Sequence, residues 1–196
     1  MSLDGFMAGP NGRPGNPLGD GGTRIHQWVY PLQSFREYVG LTGGETNQDD
    51  EIVRAGFART GTYVMGRRMF DEGEVGWPEN PPFRAPVFVV THQARAPWER
   101  KGGTTFTFVT DGIKSALEQA KSAAGDKDVR ISGGANVIQQ FVQAGLIDEL
   151  IIHLAPVVLG AGVRLLDHLS SDHLQLERME VVDSPLVTHL KYRVIK

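Results

Sequence analysis

Val129-Arg130-Ile131-Ser132-Gly133-Gly134-Ala135-Asn136-Val137-Ile138-Gln139-Gln140-Phe141-Val142 passes from a short apolar strand, through a Gly-Gly pair, into an amphipathic helix. Two consecutive residues without a β-carbon let the chain turn tightly and let a ligand approach the main chain. The unpaired N–H groups of the first helical turn then attract an anion, most simply a nucleotide phosphate. This is not the G-x-G-x-x-G fingerprint of a dinucleotide fold, and taken alone these residues read first as a turn that needs glycine for geometry.

Around this stretch, strands and helices alternate. Asn47 stands as N-cap to a helix reaching about Arg59, with Asp49, Asp50 and Glu51 in its first turn, where they favour the helix dipole. Thr62 to Gly66 reads as a buried strand, Arg67 to Asp71 as the opening of a short helix, and Pro86 to Thr91 and Thr104 to Thr110 as further strands. Asp111 is expected to cap a helix reaching about Ala124, and the helix after the Gly-Gly pair to stop at Gly145. Asp148 to Leu154 makes another strand, with a non-regular exit through residues 155–162. Two alternating runs, Leu174 to Val182 and Leu186 to Val194, joined by Asp183-Ser184-Pro185, form a hairpin. The order predicts an α/β chain with a mixed sheet and helices on both faces. The Gly- and Pro-rich first 24 residues read as a long flexible loop, and His26 to Val39 as an extended piece followed by one or two helical turns.

At 196 residues the chain suits one domain, residues 1–196. With 40% hydrophobic and 22% charged residues it is an ordinary globular composition rather than a disordered one. A formal charge of −3 supplies no basic field for nucleic acid or an anionic membrane, so phosphate recognition must be local. The absence of cysteine excludes disulfides, thiolate metal sites and a cysteine nucleophile. No apolar stretch approaches a membrane span and no signal peptide is read at the N-terminus, so a cytoplasmic setting is expected. The six histidines, His153 and His189 among them, lack metal-ligand spacing, and no catalytic metal is expected. Ser132 lies outside any G-x-S-x-G setting, which disfavours a hydrolase.

Two further strand ends carry polar groups. Val64-Met65-Gly66-Arg67-Arg68 puts a glycine and two forked guanidinium donors at a strand's C-terminal end, where open α/β sheets bind ligands. Val90-Thr91-His92 adds a hydroxyl and an imidazole. The alternative for the arginines is a pair of solvated surface charges.

Ser2-Leu3-Asp4-Gly5-Phe6-Met7-Ala8-Gly9, Met65 to Arg68, Ser132 to Ala135, Gly145 to Leu150 and Pro156 to Gly162 occur in this order in the dihydrofolate reductase-like superfamily. The chain resembles most closely its branch related to the C-terminal reductase domain of the bifunctional riboflavin biosynthesis protein. The resemblance implies the three-layer dihydrofolate reductase-like fold: a mixed, mostly parallel central sheet with a C-terminal antiparallel hairpin. It also implies a reductase that uses NADPH on a small heterocycle, a pteridine or a 5-amino-6-(5-phosphoribosylamino)uracil-like compound. An NADP(H)-binding module with little or no turnover is the alternative.

By the same resemblance, Gly66, Arg67 and Arg68 meet the cofactor phosphates, and Thr91 and His92 lie near the adenosine 2′-phosphate. Ser132, Gly133, Gly134, Ala135 and Asn136 form the pyrophosphate turn, Asp4 to Ala8 pass the nicotinamide, and Leu159 and Gly160 sit close to it. Asp50 falls where folate reductases carry a carboxylate that aids substrate protonation; its alternative is a helix N-terminal charge. Branch members commonly pair, so a homodimer is expected, with the hairpin and residues 156–166 as its surface. The branch places an apolar strand before the Ser-Leu-Asp-Gly motif, whereas Met1 precedes Ser2 here, so either that strand lies outside this numbering or another segment fills its place. The long segment between Gly9 and Asn47 is large enough to be a lid or a selectivity wall.

Overall fold

The structure, a computed structural model, describes residues 1–169 and 174–196. Its largest sheet has five strands in the order β4-β5-β3-β2-β6: β2 is Thr60–Gly66, β3 Val87–Val90, β4 Trp98–Glu99, β5 Thr105–Val109 and β6 Asp128–Gly133. β5, β3, β2 and β6 are parallel, and β4 adds an antiparallel edge. A three-stranded antiparallel sheet, β7-β10-β9, comprises β7 (Glu149–Leu154), β9 (Gln175–Ser184) and β10 (Val187–Ile195). Two short strands, β1 (Phe6–Ala8) and β8 (Val163–Arg164), pair separately. The helices are α1 (Gln33–Tyr38), α2 (Gln48–Arg59), α3 (Arg67–Glu74), α4 (Gly112–Ala124) and α5 (Ala135–Gln143).

Alternation along β2 divides the core. Val64 packs with Phe88, Ala116, Ala120, Val137 and Phe141 beneath α4 and α5. Tyr63 and Met65 point the other way, into the cluster built around Phe70 and Phe106. Strands buried on both faces read as continuous apolar runs, which is why β2 and β3 are Tyr-Val-Met and Val-Phe-Val-Val. Phe70 is fully buried and meets Trp77, Trp98, Phe106 and Phe108 edge-on, at centroid distances of 5.0 to 5.9 Å.

The expected sheet is interrupted. Among the described residues no strand lies between β6 and β7, so of the two alternatives no other segment fills that place. Met1 touches only the end of the gap, donating its N–H to His153 O at 2.6 Å and accepting from Ala155 N–H at 2.9 Å. At the other end Arg59 Nη2 lies 2.8 Å from Asp128 and 2.9 Å from Glu149, joining the first residues of the two strands.

Three other expectations change. The first 24 residues are tied down rather than flexible: Gly9 N–H donates to Leu18 O and Asp20 N–H to Pro10 O, while Asn11, Arg13 and Asn16 converge on the Asp20 carboxylate. Residues 22–38 form a 3-10 turn (Gly22–His26) and α1, and they bury Ile25, Trp28, Val29 and Leu32 against Val53 of α2, Ala155 and Val187. That burial packs the segment onto α2 and the antiparallel sheet. Asp111 makes no side-chain cap on α4, where a positive φ at Gly112 turns the chain instead, whereas Asn47 does cap α2, accepting from Asp50 N–H at 3.0 Å.

Candidate functional site

Strand register assembles the predicted cofactor residues. Gly66 stands opposite Val90, and Met65 opposite Gly133, so the C-terminal ends of β3, β2 and β6 finish side by side. Gly66-Arg67, Thr91-His92 and Ser132 to Asn136 therefore line one rim. Gly66 precedes α3 and Gly134 precedes α5, so two helix N-termini open there. They are adjacent: a β-carbon on Gly66 would lie 3.7 Å from Gly134 N and 2.9 Å from Val137 Cγ2. Gly133 has φ +132°, and its neighbours are Met69 of α3 and Met7 of β1. The amides of Ala135 and Asn136 donate to no group among the described residues, the first intrahelical partner of Gly134 O being Val137 N–H. The Gly133-Gly134 bond is cis.

The Asp4 to Ala8 loop closes the rim's other side. Asp4 accepts from Leu159 N–H at 3.2 Å and Gly160 N–H at 2.7 Å, and Arg164 donates to Asp4 O while lying over the Phe6 ring. The Ser2 hydroxyl, with these two amides, holds the Asp4 carboxyl down at about 2. Ala8 O is so close to Gly162 that any β-carbon there would collide with it. Arg67 and Arg68 are each engaged by a carboxylate one helical turn on, Arg67 with Asp71 at 2.6 Å and Arg68 with Glu72 at 2.7 Å, and both remain solvent-accessible. Thr91 is buried, its Oγ1 accepting from Gln93 N–H, and His92 is exposed.

Asp50 does not reach this rim. Its Oδ1 accepts from Ser34 N–H at 2.6 Å, and Arg54 lies 3.4 Å from Oδ2. Burial alone would raise its pKa, but Ser34 and Arg54 outweigh that and keep the carboxyl below its ordinary range. One residue earlier, Asp49 points to the antiparallel sheet, where its Oδ1 is 3.0 Å from His189 Nε2. His189 Nδ1 is in turn 2.7 Å from His153 Nδ1. Burial, joined by His189 and Arg130, pushes His153 down to about 3, so its imidazole is neutral at neutral pH. Neither histidine carried a sequence signal of its own beyond breaking an apolar strand.

A cavity of about 300 Å³ lies at the opposite ends of β2 and β3, lined by Tyr38, Phe57, Tyr63, Phe83 and the cations Arg54 and Arg84. Tyr38 stacks on Phe57 at 3.9 Å and its hydroxyl bonds that of Tyr63 at 2.9 Å. Among the described residues no group of His, Asp and Glu is placed to hold a metal, and no helix is long and apolar enough to cross a membrane.

The RibD C-terminal domain family model matches residues 1–188. The chain belongs to this family. It is 28% identical over 111 residues to the uncharacterized protein YwjB of Bacillus subtilis (strain 168), spanning 57% of this chain and 61% of that relative, less than two thirds of its length. A candidate riboflavin biosynthesis protein of Shewanella sp. PV-4 superposes with a TM-score of 0.66 at 24% identity, covering all of this chain and 96% of that one. Dihydrofolate reductase of Enterococcus faecalis, solved with NADP(H), superposes with a TM-score of 0.53 at 14% identity, over 80% and 87% of the two chains. Such identities speak to fold, and the fold is that of the family's reductase domains, with a dihydrofolate reductase-like arrangement of mostly parallel sheet and C-terminal antiparallel hairpin.

Proposed function

We propose that the protein is an NADPH-dependent reductase transferring a hydride to a small heterocycle, a pteridine or a 5-amino-6-(5-phosphoribosylamino)uracil-like compound. The observation that carries this reading is the register that brings Gly66, Thr91 and Gly133 to one rim, with the N-termini of α3 and α5 side by side. The residues present suit a pyrophosphate: open amides at Ala135 and Asn136 and two accessible guanidinium groups. Hydride transfer is chemistry that the nicotinamide supplies when bound. The chain's part is to bind phosphates at the rim, to hold residues 159–160 against the Asp4 loop, and to shut water from the face covered by residues 22–38.

The test is to follow loss of nicotinamide absorbance with pteridines and ribosylamino-pyrimidines, and NADPH affinity in Arg67→Ala/Arg68→Ala. Hydrogen bonds to charged groups contribute roughly 1.5 to 3 kcal/mol each. Loss of Asp71 and Glu72 partners from both arginines reduces the net change, so the double variant is expected to bind NADPH several-fold more weakly. Unchanged affinity would place the phosphates elsewhere.

The same reading includes a homodimer through the hairpin. β9 is exposed along most of its length and shows Leu176, Met179 and Val181 to solvent. Sedimentation is expected to show a dimer that Val181→Glu weakens; a monomer at every concentration would remove this part.

A further inference from the structure

The far end of the parallel sheet holds a cavity that the cofactor rim does not use. Thr60, in its lining, and Gly66, at the rim, are the first and last residues of β2. They stand roughly 20 Å apart along an extended strand. Reacting atoms must meet at about 3 to 3.5 Å, so a ring held at the Thr60 end is not a hydride acceptor for a nicotinamide seated at the rim. Whatever the cavity takes is a second ligand.

Its floor is aromatic and carries one unspent hydrogen. Tyr63 is 4% exposed, and Phe83 meets its ring edge-on at 5.3 Å. Tyr38 lies flat on Phe57, at an interplanar angle of 5°, which braces it. The hydroxyls of Tyr38 and Tyr63 are 2.9 Å apart. Two phenols carry two hydrogens, and the bond between them uses one. The other has no acceptor among the described residues, and both tyrosines line the cavity.

The mouth is cationic. Arg54, Arg84 and Lys127 line it and are exposed, against one carboxylate, Glu37. Both Glu37 oxygens are taken, by Gln33 Nε2 at 2.8 Å and Arg54 Nη1 at 2.9 Å, and Arg54 also reaches Asp50. Arg84 donates from Nη2 to Glu37 O, which leaves the rest of its fork open. Neither Arg84 nor Lys127 forms an ion pair among the described residues. Arg84 also stands at φ +51°, in the left-handed region that favours glycine. Its N–H donates to Oγ1 of the fully buried Thr104 at 3.0 Å, which holds it there. Glycine would take this position without strain, whereas arginine sets a guanidinium across the mouth from α1. Strain of this kind collects at ligand clamps.

We propose that this cavity is a second, non-catalytic binding site for a single-ring aromatic carboxylate. The ring lies against Tyr63 and Phe83, the carboxylate meets Arg84 and Lys127, and the spare phenol hydrogen finds an oxygen of the same molecule. A volume of about 300 Å³ is at the lower end for ligand pockets and has room for one ring rather than a dinucleotide. A forked guanidinium matches a planar carboxylate, and a bare inorganic anion would leave the aromatic floor uncovered. The site does not depend on what the rim binds.

Titration of the wild-type protein into 4-fluorobenzoate, followed by ¹⁹F NMR, tests it. The expected result is saturable binding at one site per chain, with 4-fluorobenzyl alcohol and inorganic phosphate each at least about tenfold weaker. Saturating NADPH, and separately Arg67→Ala/Arg68→Ala, are expected to leave the affinity within about twofold, because the two sites share no residue. Arg84→Gly, which removes the guanidinium and relieves the backbone, is expected to weaken binding about fivefold or more. Lys127→Ala, at an exposed position, and Tyr63→Phe, which keeps the ring, are each expected to weaken it about twofold or more. No saturable binding up to about 10 mM, displacement by NADPH, or indifference to all three substitutions overturns the second site and leaves NADPH binding at the rim to its own titration.

Discussion

Gly133→Val is expected to lower NADPH affinity at least about a hundredfold, equivalent to roughly 2.7 kcal/mol, while leaving a folded protein. Gly133 has φ +132°, where an L side chain costs on the order of 1 to 3 kcal/mol of strain. A β-carbon there would lie 3.2 Å from Met69 Sδ and 3.6 Å from Met7 Cε, and the two further methyl groups of valine reach beyond it. Methionine side chains can yield, so the fold survives. The turn relieves its strain by rotating, which moves the Ala135 and Asn136 amides away from the direction in which α5 presents them. A melting curve measured beside the NADPH titration separates the two effects. A folded variant with wild-type affinity would mean that the turn is structural only.

Acidification is expected to remove about 2 kcal/mol of stability between pH 7 and pH 5 through His153 alone. Its folded pKa is pushed down to about 3, against an ordinary 6.5. Below 6.5 the unfolded chain binds a proton at this ring that the folded chain refuses, so stability falls as pH drops from 6.5 toward 3 and is level above 6.5. Urea unfolding at the two pH values measures it, and His153→Gln, which cannot titrate, should show a drop smaller by that amount. An equal pH dependence in wild type and variant would show that the ring is solvated and not held between Trp28 and His189.

The elements of this fold announce themselves locally, and their neighbours in the sheet do not. β2 and β3 are apolar runs and β6 alternates Val129 and Ile131 with polar residues; all three end in polar or Gly-containing turns, which fixes their type and the chemistry at their ends. That these ends share one rim depends on the order β3-β2-β6, a long-range pairing that no local pattern encodes. Asp49 and Asp50 show the same limit at the scale of one residue. Adjacent helical positions differ by about 100° around the axis, so Asp50 turns to Ser34 and Arg54 while Asp49 meets His189. The deciding feature is the wall of residues 22–38, which fits Ser34 against one carboxylate and Trp28 against the histidine pair. His153 and His189 are 36 residues apart and were unreadable as a pair without the β7-β10 register.

The rim's identity as a dinucleotide seat is the claim on which the rest stands, and equilibrium titration of the wild-type protein with NADPH, followed by tryptophan fluorescence, tests it most directly. Saturable quenching at one site per chain, lost in Gly133→Val and weakened in Arg67→Ala/Arg68→Ala, is the predicted result. No saturable binding of NADPH or NADH would contradict it.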